Sequence, residues 1–445
     1  MYTILLLVLS VAFIILATTR LRLHPFLALI VVAIAFGLAS GMPLSLVASS
    51  LNEGFGGTIG RIGIIIIAGT IIGTFLEKSG GALMLAERLL KLTGQKNVPL
   101  TMNLIGYVIS IPVFADSGFV MLSPLNRALT KKAGLSLAVT AGALALGLTA
   151  SHNLVPPTPG PIAAAGLLQA DLGLVLSIGI PVSLVASLAG WLFAKRFASR
   201  FWIDPNPQIT EAELQSQTVN APSWYKSVIP ILLPIMLIVL KSLADLPGSA
   251  LGQGQMGAII KFIGEPVIAL LLGVALALTL PKTLNKEMLS SSGWVGAALI
   301  DASIIILITG AGGSFGKMLQ NAGLAKTIGD LMSGINIGIL LPVLLAAAIK
   351  TAQGSSTVAL ITTASIMAPL APTLGFDGPV AKALLVLAIG AGSSIVSHAN
   401  DSFFWIMTQM SSMDVKTGYK IQSLGSFVIG STAAVMVWLA SLILI

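Results

Sequence analysis

The chain has 445 residues, of which 56% are hydrophobic and only 9% charged, with a mean hydropathy of +0.98. Soluble domains carry about 25% charged residues, so the composition describes a polytopic membrane protein and excludes a soluble enzyme. Zero cysteines exclude disulfides, thiolate metal sites and Cys nucleophiles, and the net charge of +8 lies in short loops beside apolar runs, as cytoplasmic positive charge rather than a nucleic-acid surface.

The first apolar run, Tyr2–Ala17, has no basic leader and no small-residue cleavage site, which predicts a retained helix rather than a signal peptide. Runs long enough to span recur at Ile62–Leu76, at Ile229–Leu240 with its flanks, and at Phe427–Ile445. The longest polar stretch, roughly Lys195–Ser223, divides two similar halves. Aligning Gly73 with Gly316 pairs "GTFLEKSGGALMLAERL" with "GKMLQNAGLAKTIGDLM", matching Leu76 to Leu319, Gly80 to Gly323, Ala82 to Ala325 and Glu87 to Asp330. The same offset brings Gly69 onto Gly312, so each half carries Gly-x-x-x-Gly on its third span. Two Ser-His pairs, Ser151-His152 and Ser397-His398, align at nearly that offset. Landmarks in the same order predict a duplication, with residues 1–200 and 225–445 as repeats and 201–224 as a cytoplasmic linker.

Each half reads as three spans, a region interrupted by polar residues, a broken span and a final span. The interrupted regions are Leu100–Ala128, broken at "FADSGF", and Ile335–Leu370, broken at "KTAQGSSTV". Such segments suit re-entrant hairpins, whose irregular tips are tolerated only where they line a cavity. Two hairpins leave five crossings per half, and an odd number inverts the second half relative to the first. With both termini outside, most of the 24 Lys and Arg residues fall on the cytoplasmic side, the expected bias.

The broken spans carry the polar chemistry. The prolines of "SHNLVPPTPGP" remove helix donors and should unwind the chain near mid-bilayer, turning Ser151, His152, Asn153 and Thr158 toward a pocket. "GAGSS" and "SHAND" should do the same in half two with His398, Asn400 and Asp401. A proline kink packed against protein is the plainer reading of one such motif; two matched motifs favour a site. The hairpin tips add Asp116, Ser117 and Gly118 from one half, and Lys350, Gln353, Gly354, Ser355, Ser356 and Thr357 from the other. Glycine lets backbone approach a ligand, and hydroxyls with amide N–H groups suit an anion. Lys350 reads equally as the counter-charge to a substrate carboxylate and as a side chain snorkelling to the interface. Asp301, early in "LIDASIIILI", reads as a proton carrier or as a boundary residue in equal measure. "GGSFG" at Gly312–Gly316 imitates a hydrolase elbow but lacks the strand-turn-helix setting, so helix packing is expected there. No phosphate loop or His-Glu-x-x-His occurs, so no cofactor, ATP drive or metal site is expected.

At "IPVFADSGFVMLSPL", "SHNLVPPTPGP", "ITGAGGSFG", "AQGSSTVA" and "SHANDSFFW" the chain closely resembles the gluconate permease family of bacterial inner-membrane symporters. The resemblance spans nearly the whole length. It implies the fold of the ion-transporter superfamily: an all-α polytopic protein of two inverted repeats, with a scaffold, a mobile transport domain, elevator motion and a homodimer. It further implies proton-coupled uptake of gluconate or related hydroxy acids, with D-serine and other small carboxylates taken by some members. Gluconate-type members carry Glu-Val where this chain has Asp116-Ser117, a departure at the hairpin tip that bears on which acid is carried.

The expectation is therefore a proton symporter of a small hydroxylated carboxylate in the cell membrane, with Asp116, His152, Asp301, His398 and Asp401 as candidate proton carriers. A sodium-coupled carboxylate symporter or a D-amino-acid permease of the same fold are the nearest alternatives. A membrane-embedded serine hydrolase and a passive channel are the readings from other classes.

Overall fold

The computed structural model describes residues 2–93, 97–205, 221–245, 249–324, 338–399 and 401–445. Lys96, linker residues 206–220, the repeat matches Ala325 and Asp330, the hairpin start at Ile335 and the site candidate Asn400 lie outside them, and of Gln353 only the backbone is described. The described residues form helices and connecting turns without a strand.

In chain order the first half holds α1 (Tyr2–Thr19), α2 (Pro25–Ala39), α3 (Leu44–Lys78), α4 (Gly81–Thr93), α5 (Val98–Ile109), α6 (Ala115–Lys132), α7 (Leu137–Leu154), α8 (Pro159–Leu168) and α9 (Leu172–Arg196). The second holds α10 (Trp224–Ala244), α11 (Gly254–Ile263), α12 (Pro266–Ala277), α13 (Trp294–Asn321), α14 (Leu340–Gln353), α15 (Ser356–Met367), α16 (Pro379–Ser393), α17 (Ser402–Met410), α18 (Val415–Gly418) and α19 (Leu424–Leu444). Between the last two runs a π-helical turn, Tyr419–Ser423.

Among the described residues six helical stretches are long and apolar enough to cross a membrane: α3, α7 with α8, α9 with its extension to Arg200, α10, α13, and Val415–Leu444. The pair α11 and α12, bent by 65°, makes a seventh. Leu5–Thr18, α2 and α16 are apolar but shorter. A 15-residue helix is about 22 Å long against a hydrocarbon core of about 30 Å, so these three do not span by length alone. The chain is thus a multi-pass membrane protein. Apolar side chains on α1 and α19, such as Leu5, Val8, Leu442 and Ile443, face outward, as lipid contact requires.

Four interruptions set the inner architecture. α5 and α6 form one hairpin around Ser110–Phe114, slightly ahead of the expected break, because α6 begins at Ala115 and takes Asp116 into its first turn. α14 and α15 form the other around Gly354, whose φ of +95° only glycine adopts without strain. α7 breaks at Val155–Thr158, where Pro156 and Pro157 cannot donate to the helix ladder. α16 breaks between Ser394 and Asp401. The glycines Gly390 and Gly392, expected to unwind the helix there, instead lie inside α16 and pack on Asn153 and Val343 backbone.

The two breaks of the first half dock on α3, and α15 docks on α13, the long helix that runs antiparallel to α3. A Cβ on Gly69 would meet Pro157 O at 2.9 Å, and one on Gly73 would collide with Pro112 O. On α13 the Gly312 and Gly316 positions lie against Ser365 of α15, with Oγ and backbone O at 2.5 and 2.9 Å from added Cβ atoms. Ser314 donates to Leu51 O at 2.8 Å, so "GGSFG" is a packing seam, as its lack of a hydrolase setting suggested. At the crossing, a Cβ on Gly54 would stand 2.5 Å from Gly313 O, whereas Gly56 has nothing within 4 Å. Gly54→Leu should therefore destabilise the folded protein by about 1–3 kcal/mol or abolish its accumulation. Gly56→Ala should stay within about 0.5 kcal/mol of the parent in thermal unfolding of detergent-solubilised protein.

Candidate functional site

The two hairpin turns and the second helix break border one cavity of about 670 Å³, together with the end of α7 and the wall of α13. Four helices begin on it: α2 at Pro25, whose ring nitrogen offers no donor, and α6 at Ala115, α15 at Ser356 and α17 at Ser402, which do carry N–H groups. Helix starts carry unsatisfied N–H groups and positive dipole ends, so their convergence favours an anion.

One buried ion pair joins the two elements of half two. Lys350, in the last turn of α14, is 1% exposed, and its Nζ donates to Asp401 Oδ2 at 2.6 Å and to Gly354 O. Snorkelling is thereby overturned: the ammonium points inward because the hairpin turns back at Gly354 and offers it a carbonyl. Asp401 is also fully engaged. Its Oδ2 accepts from Ser397 Oγ at 2.6 Å, and its Oδ1 accepts from Phe403 N at 3.0 Å, capping α17. The far end of α17 is held as well, by Arg127 of α6, which donates to Met410 O at 2.6 Å and to Pro205 O at 2.7 Å.

Asp116 stands apart from that pair. Its Oδ2 accepts from Ser402 Oγ at 3.1 Å, next in sequence to Asp401, so the acids of the two halves flank the start of α17. Ser117, Gly354, Ser355, Ser356 and Thr357 line the same cavity. Asp301 lines it too, but is exposed, on the wall formed by α13.

The histidines separate. His152 lies in the last turn of α7, on the cavity, its Nδ1 buried without a hydrogen-bond partner and its ring 6.0 Å from that of Phe114. Asn153 beside it donates to Ser394 Oγ at 3.0 Å and so bridges the two broken helices. His398 does not face the cavity. It sits within the break rather than before it, and its Nε2 hydrogen-bonds Thr351 O at 2.7 Å. The aligned Ser-His pairs thus occupy different local structures. Ser151 bonds back to Gly147 O and Leu148 O, Thr158 closes its own turn on Val155 O at 2.6 Å, and Gly118 packs on Leu148. These three support the site without lining it.

Residues not expected from sequence also line it: His24, Thr149, Ser394, Ser397, Ser402 and Gln422. The three serines stood within or beside the quoted "GAGSS" and "SHAND" stretches, and Gln422 is a lone amide in an apolar run. His24 caps α2 through Nδ1, a role its sequence position does not advertise.

Removing Lys350 alone should leave Asp401 buried and uncompensated. Lys350→Ala is expected to cost about 3–5 kcal/mol in thermal unfolding, whereas Lys350→Met with Asp401→Asn, which keeps the cap, should recover at least half of that loss.

Comparison with known proteins places this geometry. The GntP family permease pattern matches residues 2–443. The chain is 36% identical over 431 residues to the gluconate permease of Pseudomonas aeruginosa, covering 96% of this chain and 94% of that one. It is 32% identical over 449 residues to the D-serine transporter DsdX of Escherichia coli, covering 98% of each. The solved YdaH transporter of Alcanivorax borkumensis shares the fold at a TM-score of 0.61 and 17% identity, over 90% of this chain and 89% of that one. A permease moves its substrate across a membrane without converting it, and with the family pattern running through both hairpins and both helix breaks, this chain belongs to the GntP permease family.

Proposed function

We propose that the protein is a proton-coupled symporter that carries a small hydroxylated monocarboxylate into the cell, a gluconate-like sugar acid or a short hydroxy acid. The observation that carries this reading is the convergence of three helix starts that carry N–H groups on a cavity whose one lysine is already paired. The helix starts offer N–H groups to a carboxylate, and the hydroxyls of Ser117, Ser355, Ser356 and Thr357 offer further donors. Gluconate and D-serine in the names of relatives fit a substrate of this chemistry.

Proton coupling follows from charge. Lys350 and Asp401 cancel, which leaves the carboxylate of Asp116 beside the place where the substrate anion would lie. Two like charges about 4 Å apart repel by about 4 kcal/mol at an effective dielectric of 20. Protonating Asp116 removes that repulsion and turns an acceptor into a donor, so anion and proton bind together. Asp116 is thus the leading proton carrier. Asp401 is the structural partner of Lys350, His152 is a hydrogen-bonding partner for the substrate in the cavity, and Asp301 stands exposed on the α13 wall. A sodium ion beside Asp116 would remove the same repulsion, which keeps sodium coupling as the second reading.

The supporting architecture is two inverted repeats, 1–200 and 225–445, joined by a cytoplasmic linker at 201–224. Ten crossings, in which the short helices α1, α2 and α16 complete their spans with flanking residues, and two re-entrant hairpins would put both termini on the periplasmic face of the inner membrane. The hairpins and broken helices would move as a transport domain against a scaffold within a homodimer.

In sodium-free proteoliposomes, an inward proton gradient should drive gluconate accumulation, and a protonophore should abolish it; accumulation that requires sodium and ignores the proton gradient would sink the coupling. Asp116→Asn should still bind and exchange gluconate but lose accumulation driven by the gradient. Loss of binding itself would make Asp116 a substrate ligand instead.

A further inference from the structure

Gln422 is the most conspicuous polar group that the charge argument leaves unused. It lies in the π-helical turn Tyr419–Ser423, where one extra residue per turn displaces the backbone from regular α-helix; such turns occur often at functional sites. Its side chain is fully buried, yet neither Oε1 nor Nε2 has a hydrogen-bond partner. Leaving both ends of an amide unpaired is costly, and it persists where another group supplies the missing bonds.

The turn is fixed in place by the helix break beside it. Ser423 Oγ donates to Ser397 O at 2.5 Å, and Ser426 Oγ accepts from Ser397 N at 2.8 Å. Gln422 is thereby held on the cavity wall, along with His152, whose Nδ1 is also buried and unpaired. The hydrogen-bonded pair Asn153 and Ser394 lines the same cavity. None of these four side chains carries a formal charge when the imidazole is neutral. The charged groups and helix starts belong to the opposite chemistry, that of the carboxylate.

We infer that Gln422 and His152 form an uncharged subsite that reads the hydroxyl groups of the substrate while the hairpin tips hold its carboxylate. A hydroxyl donates and accepts at once, so it can satisfy the amide Oε1 or Nε2 of Gln422 and the imidazole Nδ1 of His152. A carboxylate only accepts and would leave the amide oxygen unpaired. A site built to hydrogen-bond substrate hydroxyls rejects analogues that lack them far more strongly than a shape-matched apolar pocket would. This inference rests on the carboxylate reading above and deepens it: the chain should prefer polyhydroxylated acids over monohydroxy acids of the same charge.

The test measures binding of gluconate and of lactate to purified full-length protein by ligand-induced thermal stabilisation, in the parent, Gln422→Leu, and Gln422→Asn. The parent should bind gluconate at least tenfold more tightly than lactate. Gln422→Leu keeps the volume but not the hydrogen bonds, and should lose about tenfold or more for gluconate while lactate changes less than threefold. Gln422→Asn, which retains an amide donor and acceptor without adding charge, should regain part of the gluconate affinity. Equal losses for both acids would mean that Gln422 only supports the fold, and an unchanged ratio or a parent that prefers lactate would equally overturn the subsite. A parent that binds neither acid would overturn the carboxylate reading itself, an outcome distinct from any of these. Should Gln422→Leu fail to fold, His152→Phe carries the same comparison, with the same shift in ratio required.

Discussion

Inside a bilayer every backbone N–H and C=O that leaves a helix ladder must find a partner within the protein, because lipid offers none. Besides the bend between α11 and α12, the described residues interrupt the inner helices at Ser110–Phe114, Val155–Thr158, Gly354–Ser355 and Ser394–Asp401. The cost is contained by burying the interruptions against one another and against α3 and α13, whose glycines let backbone approach backbone. Helix ends not absorbed in that packing turn toward the cavity, and the caps Ser355 and Asp401 satisfy only part of their donors. The anion-binding character proposed for the site would thus be a consequence of how the breaks are accommodated, and would need no arginine cluster.

The same constraint explains why the charges are arranged unevenly. Lys350 in the interior would be prohibitive alone, and Asp401 answers it while also capping α17 and holding Ser397. The pair fastens the turn of one hairpin to the neighbouring helix break, so the two border the cavity as one connected wall on that side. Asp116, held by a single hydroxyl at 3.1 Å, has far less to hold it in one charge state. Structural charge and functional charge are separated by the number of partners each has.

Much of this was legible in the linear sequence. Low charge density, the Gly-x-x-x-Gly echo and the paired polar interruptions announced a helical membrane transporter with hairpins and broken helices, since each is a local pattern with a direct physical reading. Asp116, Lys350 and the "GSST" turn were found because polar groups in apolar runs stand out. What failed was position at the scale of one helical turn. His152 and His398 look equivalent in alignment, yet the proline break falls after His152 while His398 lies inside its own break and bonds to Thr351 O. Where a helix ends depends on what its neighbours offer, and that is a tertiary property. Gln422 was invisible for a related reason: a single amide in "YKIQSLGSFV" gives no hint of a π-helical turn clamped by Ser397.

The two halves also diverge in chemistry while keeping the same order of elements. Half one supplies a lone acid at its hairpin and a neutral imidazole and amide at its break; half two supplies a neutralised ion pair and hydroxyls. A symmetric site would hold two equal acids or two equal bases, with nothing to orient a substrate whose ends differ. An asymmetric one presents helix starts and a titratable acid to one end of the molecule, and uncharged amide and imidazole groups to the other. A hydroxylated carboxylate has that same polarity along its length. On the proposed duplication, the paired breaks would make a cavity possible, and divergence between the copies would give it a direction.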